Sequence, residues 1–180
     1  MNIFITGTPG IGKTTVILQT IKELETMGFK VGGMISREVR ESGMRVGFEL
    51  IDLTSGRRGW LAHVNQPIGP KVSRYRVNLT DLSEIGAAAI CKAVEISDLV
   101  VIDEVGPMEL YSNEFQTAVK LALESHKPVI GTIHFKAHHP LVNYIRNQAE
   151  VYTVTFENRE ELPKIIAHKI AAILELGSNR

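Results

Sequence analysis

With 180 residues, 44% of them hydrophobic and 22% charged, the chain suits one globular domain with a sizeable core and leaves no room for a second full domain or a disordered protein. Twenty basic side chains balance twenty acidic ones, so no overall field draws the molecule to nucleic acid or to a membrane surface. A single cysteine, Cys91, cannot form an internal disulfide, and neither a signal peptide nor an apolar run of membrane-spanning length is visible, so a cytoplasmic location is expected.

The chain opens with the apolar run Ile3-Phe4-Ile5, a strand over about Asn2 to Thr6. Gly7-Thr8-Pro9-Gly10-Ile11-Gly12-Lys13-Thr14 follows, and then a helix to about Met27 with Ile17, Ile21 and Leu24 on one face. The spacing G-x-x-x-x-G-K-[ST] is that of a phosphate-binding loop. Gly7, Gly10 and Gly12 permit positive φ and let backbone N–H groups crowd around an anion. Lys13 supplies a mobile cation for the β- and γ-phosphates, Thr14 offers a hydroxyl to Mg²⁺, and the helix aims the positive end of its dipole at the same place. A bound nucleoside triphosphate is the expectation.

Gly28 stops the helix, and Lys30 to Ser36 reads as a second strand, which completes a βαβ unit. From Met44 to Asn78 the pattern changes. Val46, Phe48 and Leu50 alternate with Gly47, Glu49 and Ile51, between turn signals at Glu41-Ser42-Gly43 and Thr54-Ser55-Gly56, which predicts an antiparallel hairpin insertion. A helix opened by Thr80 carries Leu82, Ile85, Ala89 and Ile90. Leu99-Val100-Val101-Ile102 is a strand buried on both faces, and a helix follows near Asn113 to Ser125. Pro128 to Ile133 is a strand, Pro140 begins a short helix to about Arg146, Val151 to Val154 is the last strand, and the chain closes on a helix bearing Ile166, Ile170, Ile173 and Leu174. The order predicts an α/β fold, a doubly wound, mostly parallel sheet flanked by helices, with ligands at the carboxyl ends of its strands.

Asp103-Glu104 ends the buried strand and so places two acids at that edge. Asp103 would hold Mg²⁺ through a water, and Glu104 is placed to orient and deprotonate a water for in-line attack on the γ-phosphate. Asp103-Glu104-Val105-Gly106 also fits the D-x-x-G of switch GTPases, but no N-K-x-D stands elsewhere in the chain to read guanine.

Other residues carry competing readings. Thr132 is a γ-phosphate sensor or a strand-end threonine, and Glu109 supports Lys13 or an arginine, or is a surface carboxylate, the favoured reading. Between Arg37 and Arg76 seven arginines and one lysine exceed four acids, so a transition-state arginine is sought first among Arg37, Arg40 and Arg45, then Arg57, Arg58 and Arg76. Arg159 is read as a residue to stack on a base, while Asn158 is read as a helix cap. Trp60 is read as a packing residue, and His134, His138 and His139 lack the context of a zinc site.

With both motifs in place the chain resembles the thermophilic nucleoside-triphosphatase family, to which the human cancer-related nucleoside-triphosphatase belongs. The matching stretches are Ile5 to Thr15, Val39-Arg40 through Arg45-Val46-Gly47-Phe48, Tyr75-Arg76-Val77, Val101-Ile102-Asp103-Glu104-Val105-Gly106-Pro107-Met108-Glu109-Leu110, Gly131-Thr132-Ile133 and Glu157-Asn158-Arg159. The resemblance implies one RecA-like P-loop NTPase domain over residues 1–180, with the insertion at about 44–78. It further implies slow Mg²⁺-dependent hydrolysis of ATP, GTP, CTP and UTP to the diphosphate and phosphate. Gly7 through Thr15 and Val101 through Gly106 would line the nucleotide site, with Lys13 and Glu104 catalytic and Thr14 and Asp103 at the metal. A monomer acting on free nucleotide, with no nucleic acid and no membrane, is expected. Two alternatives stand beside it: a nucleotide or small-molecule kinase, and a nucleotide-gated binding module.

Overall fold

The computed structural model describes residues 1–178. Apolar runs broken by glycine and polar turns give nine strands among them: β1 (Asn2–Thr6), β2 (Val31–Glu41), β3 (Met44–Asp52), β4 (Arg58–His63), β5 (Lys71–Val72), β6 (Tyr75–Val77), β7 (Leu99–Val105), β8 (Val129–Ile133) and β9 (Glu150–Thr153). They form one sheet in the order β5-β6-β4-β3-β2-β7-β8-β1-β9. From β2 to β9 all neighbours run parallel, and from β2 outward to β5 all run antiparallel. This is the expected α/β sheet with its hairpin insertion.

The two halves share a strand. Val31 to Ile35 pair with β7, while Met34 to Glu41 pair with β3, so β2 runs beyond the stop at Ser36 read from sequence. Past Ser36 the chain remains extended because Arg37, Val39 and the residues opposite alternate in the same hairpin. Ser42 and Gly43, both at positive φ (47° and 79°), close it as a two-residue turn whose twist suits the flanking strands.

The helices are α1 (Lys13–Thr26), α2 (Leu79–Asp81), α3 (Ala88–Ile96), α4 (Asn113–Glu124), α5 (Pro140–Gln148) and α6 (Leu162–Ser178), with a π-helical turn, Leu82–Ala87, joining α2 to α3. Asn78, not Thr80, opens α2: its side-chain oxygen accepts the Asp81 N–H at 3.0 Å, which satisfies an otherwise unpaired first-turn donor. β7 shows why the domain has three layers. Val100 and Ile102 join the core beneath α3, α4 and α5, whereas Leu99 and Val101 join the core beneath α1 and α6, and all four are fully buried. Each such side chain contributes about 1.5–3 kcal/mol of burial, so β7 is anchored from both faces. Gly33 (φ 114°) lets β2 come close to β7, since a Cβ there would overlap the Val101 carbonyl. The acids that follow Ile102 are therefore held by a strand fixed on both faces. Among the described residues no helix is long and apolar enough to cross a membrane.

Candidate active site

The site lies where β1, β7 and β8 end. Gly7, Gly10 and Gly12 all take positive φ (151°, 78° and 110°), which bends the chain around an open centre before α1 begins. Gly12 stands at the N-cap with no side-chain cap and no acid in the first turn, so the first N–H groups of α1 remain available to an anion. Lys13 folds back across the loop, its Nζ donating to the carbonyls of Gly7 (3.1 Å) and Thr8 (3.3 Å).

Thr14 and Asp103 lie 89 positions apart in sequence, yet the Thr14 hydroxyl donates to Asp103 Oδ2 at 3.1 Å. From β8 the Thr132 hydroxyl donates to Asp103 Oδ1 at 2.7 Å. Both oxygens of a carboxylate that is 1% exposed are thus held by hydroxyls. Burial pushes the Asp103 carboxyl up to about 6; the Thr132 hydroxyl works against it, the Glu104 charge adds to it, and Thr14 and Lys13 pull it down. Hydroxyl and carboxylate oxygens in this arrangement are the hard donors that a small divalent cation takes, and such an ion would offset the cost of charging a buried acid.

Glu104 faces a cleft of about 560 Å³ lined also by Gly7, Pro9, Gly10, Gly12, Lys13, Thr14 and Thr15. Burial raises its carboxyl above the ordinary range and Lys13 opposes the rise. The loop, the lysine and the acid pair therefore share one side of the molecule. Strand alternation sends the side chains of Val101, Ile102 and Val105, expected along the nucleotide, into the two cores, where they support the acids and do not line the cleft. Ile11 likewise packs into the core beneath α6, and Thr8 remains exposed.

Several expectations change. Glu109 is no surface carboxylate: a 3-10 turn, Glu109–Tyr111, folds it inward to 4% exposure, and its Oε2 accepts the Gly106 N–H at 3.2 Å. Burial pushes its carboxyl well up, and the nearby Glu104 and Asp103 push the same way. Thr132 serves Asp103 directly through its hydroxyl. Of the seven arginines only Arg45 lines the cleft, stacked 5.6 Å over the Phe48 ring and paired with Glu38 at 3.1 Å. Elsewhere the basic excess is spent at the surface: Arg37 and Arg58 share Glu49, Arg40 pairs with Glu38, and Arg57 stands 3.8 Å from Glu84.

Asn158 turns back to its own loop, accepting from Thr155 N and donating to the Thr153 carbonyl, both at 2.9 Å, in place of a helix cap. Arg159 stacks 5.1 Å over Phe156, a ring that is 71% exposed, and this loop leaves Val154, whose carbonyl lies against Gly7. His134 lines the cleft and its imidazole is held below the usual range, first by burial and then by Lys13 and Lys136. The ring nitrogens of His134 and His139 accept the N–H groups of Lys136 and Leu141, and among the described residues no group of three or more His, Cys, Asp and Glu side chains is arranged to hold a metal. Trp60 packs edge-on against His63, away from the cleft.

Sequence reasoning missed the far wall. Ser36, Glu38, Phe48, Leu61 and Val72 carry the cleft from Glu104 out across the insertion, and Pro107, Met108 and Phe135 close it. Only the polar–apolar alternation of β3 hinted that Phe48 would face the site, because a cleft wall assembled from four strands leaves no local spacing to read.

Known proteins resemble this chain along nearly its whole length. The family model described as NTPase matches residues 2–167. The nucleoside-triphosphatase THEP1 of Thermofilum pendens is 47% identical over 96% of this chain and 97% of its own length, and that of Methanocaldococcus jannaschii is 41% identical over 97% and 100%. The crystal structure of THEP1 from Aquifex aeolicus superposes with a TM-score of 0.82 at 30% identity, covering 94% of this chain and 99% of that one. The solution structure of a human cancer-related nucleoside triphosphatase gives 0.79 at 35% identity, covering 94% and 97%.

Proposed function

The chain belongs to the NTPase family that includes the nucleoside-triphosphatases THEP1, and from that premise we propose that this cleft hydrolyses nucleoside triphosphates to the diphosphate and phosphate with Mg²⁺, slowly and with little regard for the base. The observation that carries the reading is the chain Thr14–Asp103–Thr132, which ties the phosphate loop to the acid-bearing strand with Lys13 and Glu104 on the same cleft.

The amides of Gly7 through Thr15 cradle the β- and γ-phosphates, and Lys13 leaves the Gly7 and Thr8 carbonyls to neutralise them. Mg²⁺, held by the Thr14 hydroxyl and through water by Asp103, would supply positive charge to the same oxygens. Glu104 takes a proton from water as the water oxygen bonds to the γ-phosphorus, the bond to the β,γ-bridging oxygen breaks, and the diphosphate leaves. Arg45 swings from Glu38 to meet the charge that develops on the γ-phosphoryl group.

Phe156 and Arg159 offer the base a stacking face, and stacking accepts every base, which supports breadth across ATP, GTP, CTP and UTP. The reading uses one P-loop domain spanning the chain, with residues 44–78 as its insertion, acting as a monomer on free nucleotide in the cytoplasm. A second reading, transfer to an acceptor, is favoured by one feature, the extension of the cleft past Glu104 to Ser36, Phe48 and Leu61. Phosphate release is measured with each triphosphate and Mg²⁺ in the absence of any acceptor. Release from all four is expected, and strict dependence on an added acceptor would overturn hydrolysis in favour of transfer.

A further inference from the structure

Glu109 is the one strongly buried acid of the cleft to which the hydrolytic scheme gives no part. Its carboxyl has the Gly106 N–H on Oε2 at 3.2 Å, and among the described residues no cationic side chain forms an ion pair with it. Gly106 is also what Glu104 leans against. A Cβ built there would stand 3.2 Å from Glu109 Oε2 and 3.3 Å from Glu104 Oε1, so the two carboxyls converge on a single point. Both face the same cleft. Glu104 is the last residue but one of β7, and beyond Val105 the chain leaves the sheet for the turn that ends at Glu109. The sheet fixes the backbone of Glu104 but does not fix the end of its side chain, and what stands beside that end is Glu109.

We propose that Glu109 is a positioning residue for hydrolysis: anchored on Gly106, its buried carboxyl forms the wall that keeps the Glu104 carboxylate turned to the attacking water. The inference rests on the reading of Glu104 as the base. Glu109 accepts the Gly106 N–H while presenting a polar surface to Glu104.

An uncharged polar isostere should preserve this arrangement and an apolar one should not. Glu109→Gln is expected to keep kcat within about threefold of the parent. Glu109→Leu fills the same space without an acceptor or a polar wall and should lower kcat about tenfold or more, the scale that a small misplacement of a catalytic group produces. KM and the affinity for a non-hydrolysable triphosphate analogue should move less than twofold. Glu109→Leu leaves the Gly106 N–H without its acceptor and is expected to melt earlier, so the split that marks a positioning role is read well below the melting temperature, where kcat falls while KM and analogue affinity hold.

The deciding arm is a double-mutant cycle with Glu104→Gln. If Glu109 acts through Glu104, the double variant Glu104→Gln/Glu109→Leu is no slower than Glu104→Gln alone. Parental kcat in Glu109→Leu, equal losses in Glu109→Gln and Glu109→Leu, or a further tenfold loss in the double variant would each overturn the assignment while leaving Glu104 as the base. Parental turnover in Glu104→Gln would instead remove the base, and this inference with it.

Discussion

Replacing Asp103 by asparagine should make the nucleotide-free protein more stable at neutral pH while destroying its activity. Asp103 is fully buried and its carboxyl is raised from 3.8 to about 6, so between those values the native state retains a proton that the unfolded chain has released. The stability linked to that proton is fully present below pH 3.8 and is lost as pH rises through about 6, a loss of about 3 kcal/mol by pH 7. Asparagine removes the charge but keeps both contacts, its carbonyl accepting from Thr132 and its amide donating to Thr14 in place of the bonds at 2.7 and 3.1 Å. Weaker neutral hydrogen bonds give back about 1–2 kcal/mol of the gain. The net expectation at pH 7 is about 1–2 kcal/mol of added stability, on the order of 4 °C for a chain of this size. Thermal unfolding in EDTA without nucleotide, at pH 7 and pH 4, is the assay. Asp103→Asn should melt later than the parent at pH 7, lose that advantage at pH 4, and show no detectable phosphate release at either. A variant destabilised equally at both pH values would refute a charge cost at Asp103.

Thr132→Val removes the hydroxyl that holds Asp103 Oδ1; the Mg²⁺ concentration for half-maximal turnover should rise about 10- to 100-fold, and an unchanged requirement would show that Thr132 does not orient the acid. Arg45→Ala should lower kcat by about 10- to 1,000-fold, while Arg37→Ala, at a side chain tied to Glu49 outside the cleft, should stay within about twofold; equal effects would remove Arg45 from the transition state. Gly33→Ala should cost about 3 kcal/mol or more of stability, seen as a lower denaturant midpoint, because the added methyl overlaps the Val101 carbonyl at a φ of 114°. An unchanged midpoint would mean that β2 and β7 can part at little cost.

How far the sequence foretold the site depended on how local each feature was. The phosphate loop needs eight consecutive residues, and the acid pair needs only a buried strand that ends in Asp-Glu, so both were legible. Their meeting followed from the rule that a doubly wound sheet gathers its loops at one edge. Arg45 could not be told from Arg37 or Arg40, because strand alternation, the bulge between Val39 and Arg40 and the pairing with Glu38 together decide which arginine faces the cleft. Glu109 looked like surface because glutamate usually is; the apolar Pro107-Met108 before it and Leu110 after it were the signal that its turn folds inward. The basic excess of the insertion was visible in composition, but its neutralisation by Glu38 and Glu49 within the hairpin and by Glu84 on the π-helical turn was not.

The central claim, that water activated by Glu104 attacks the γ-phosphorus, is tested most directly by single-turnover hydrolysis in ¹⁸O-labelled water, with the parent and Glu104→Gln compared at equal nucleotide occupancy. One labelled oxygen should enter the released phosphate and none the diphosphate, and Glu104→Gln should bind nucleotide within about twofold of the parent yet react about 10²- to 10⁴-fold more slowly. Label in the diphosphate, or parental speed in Glu104→Gln, would contradict it.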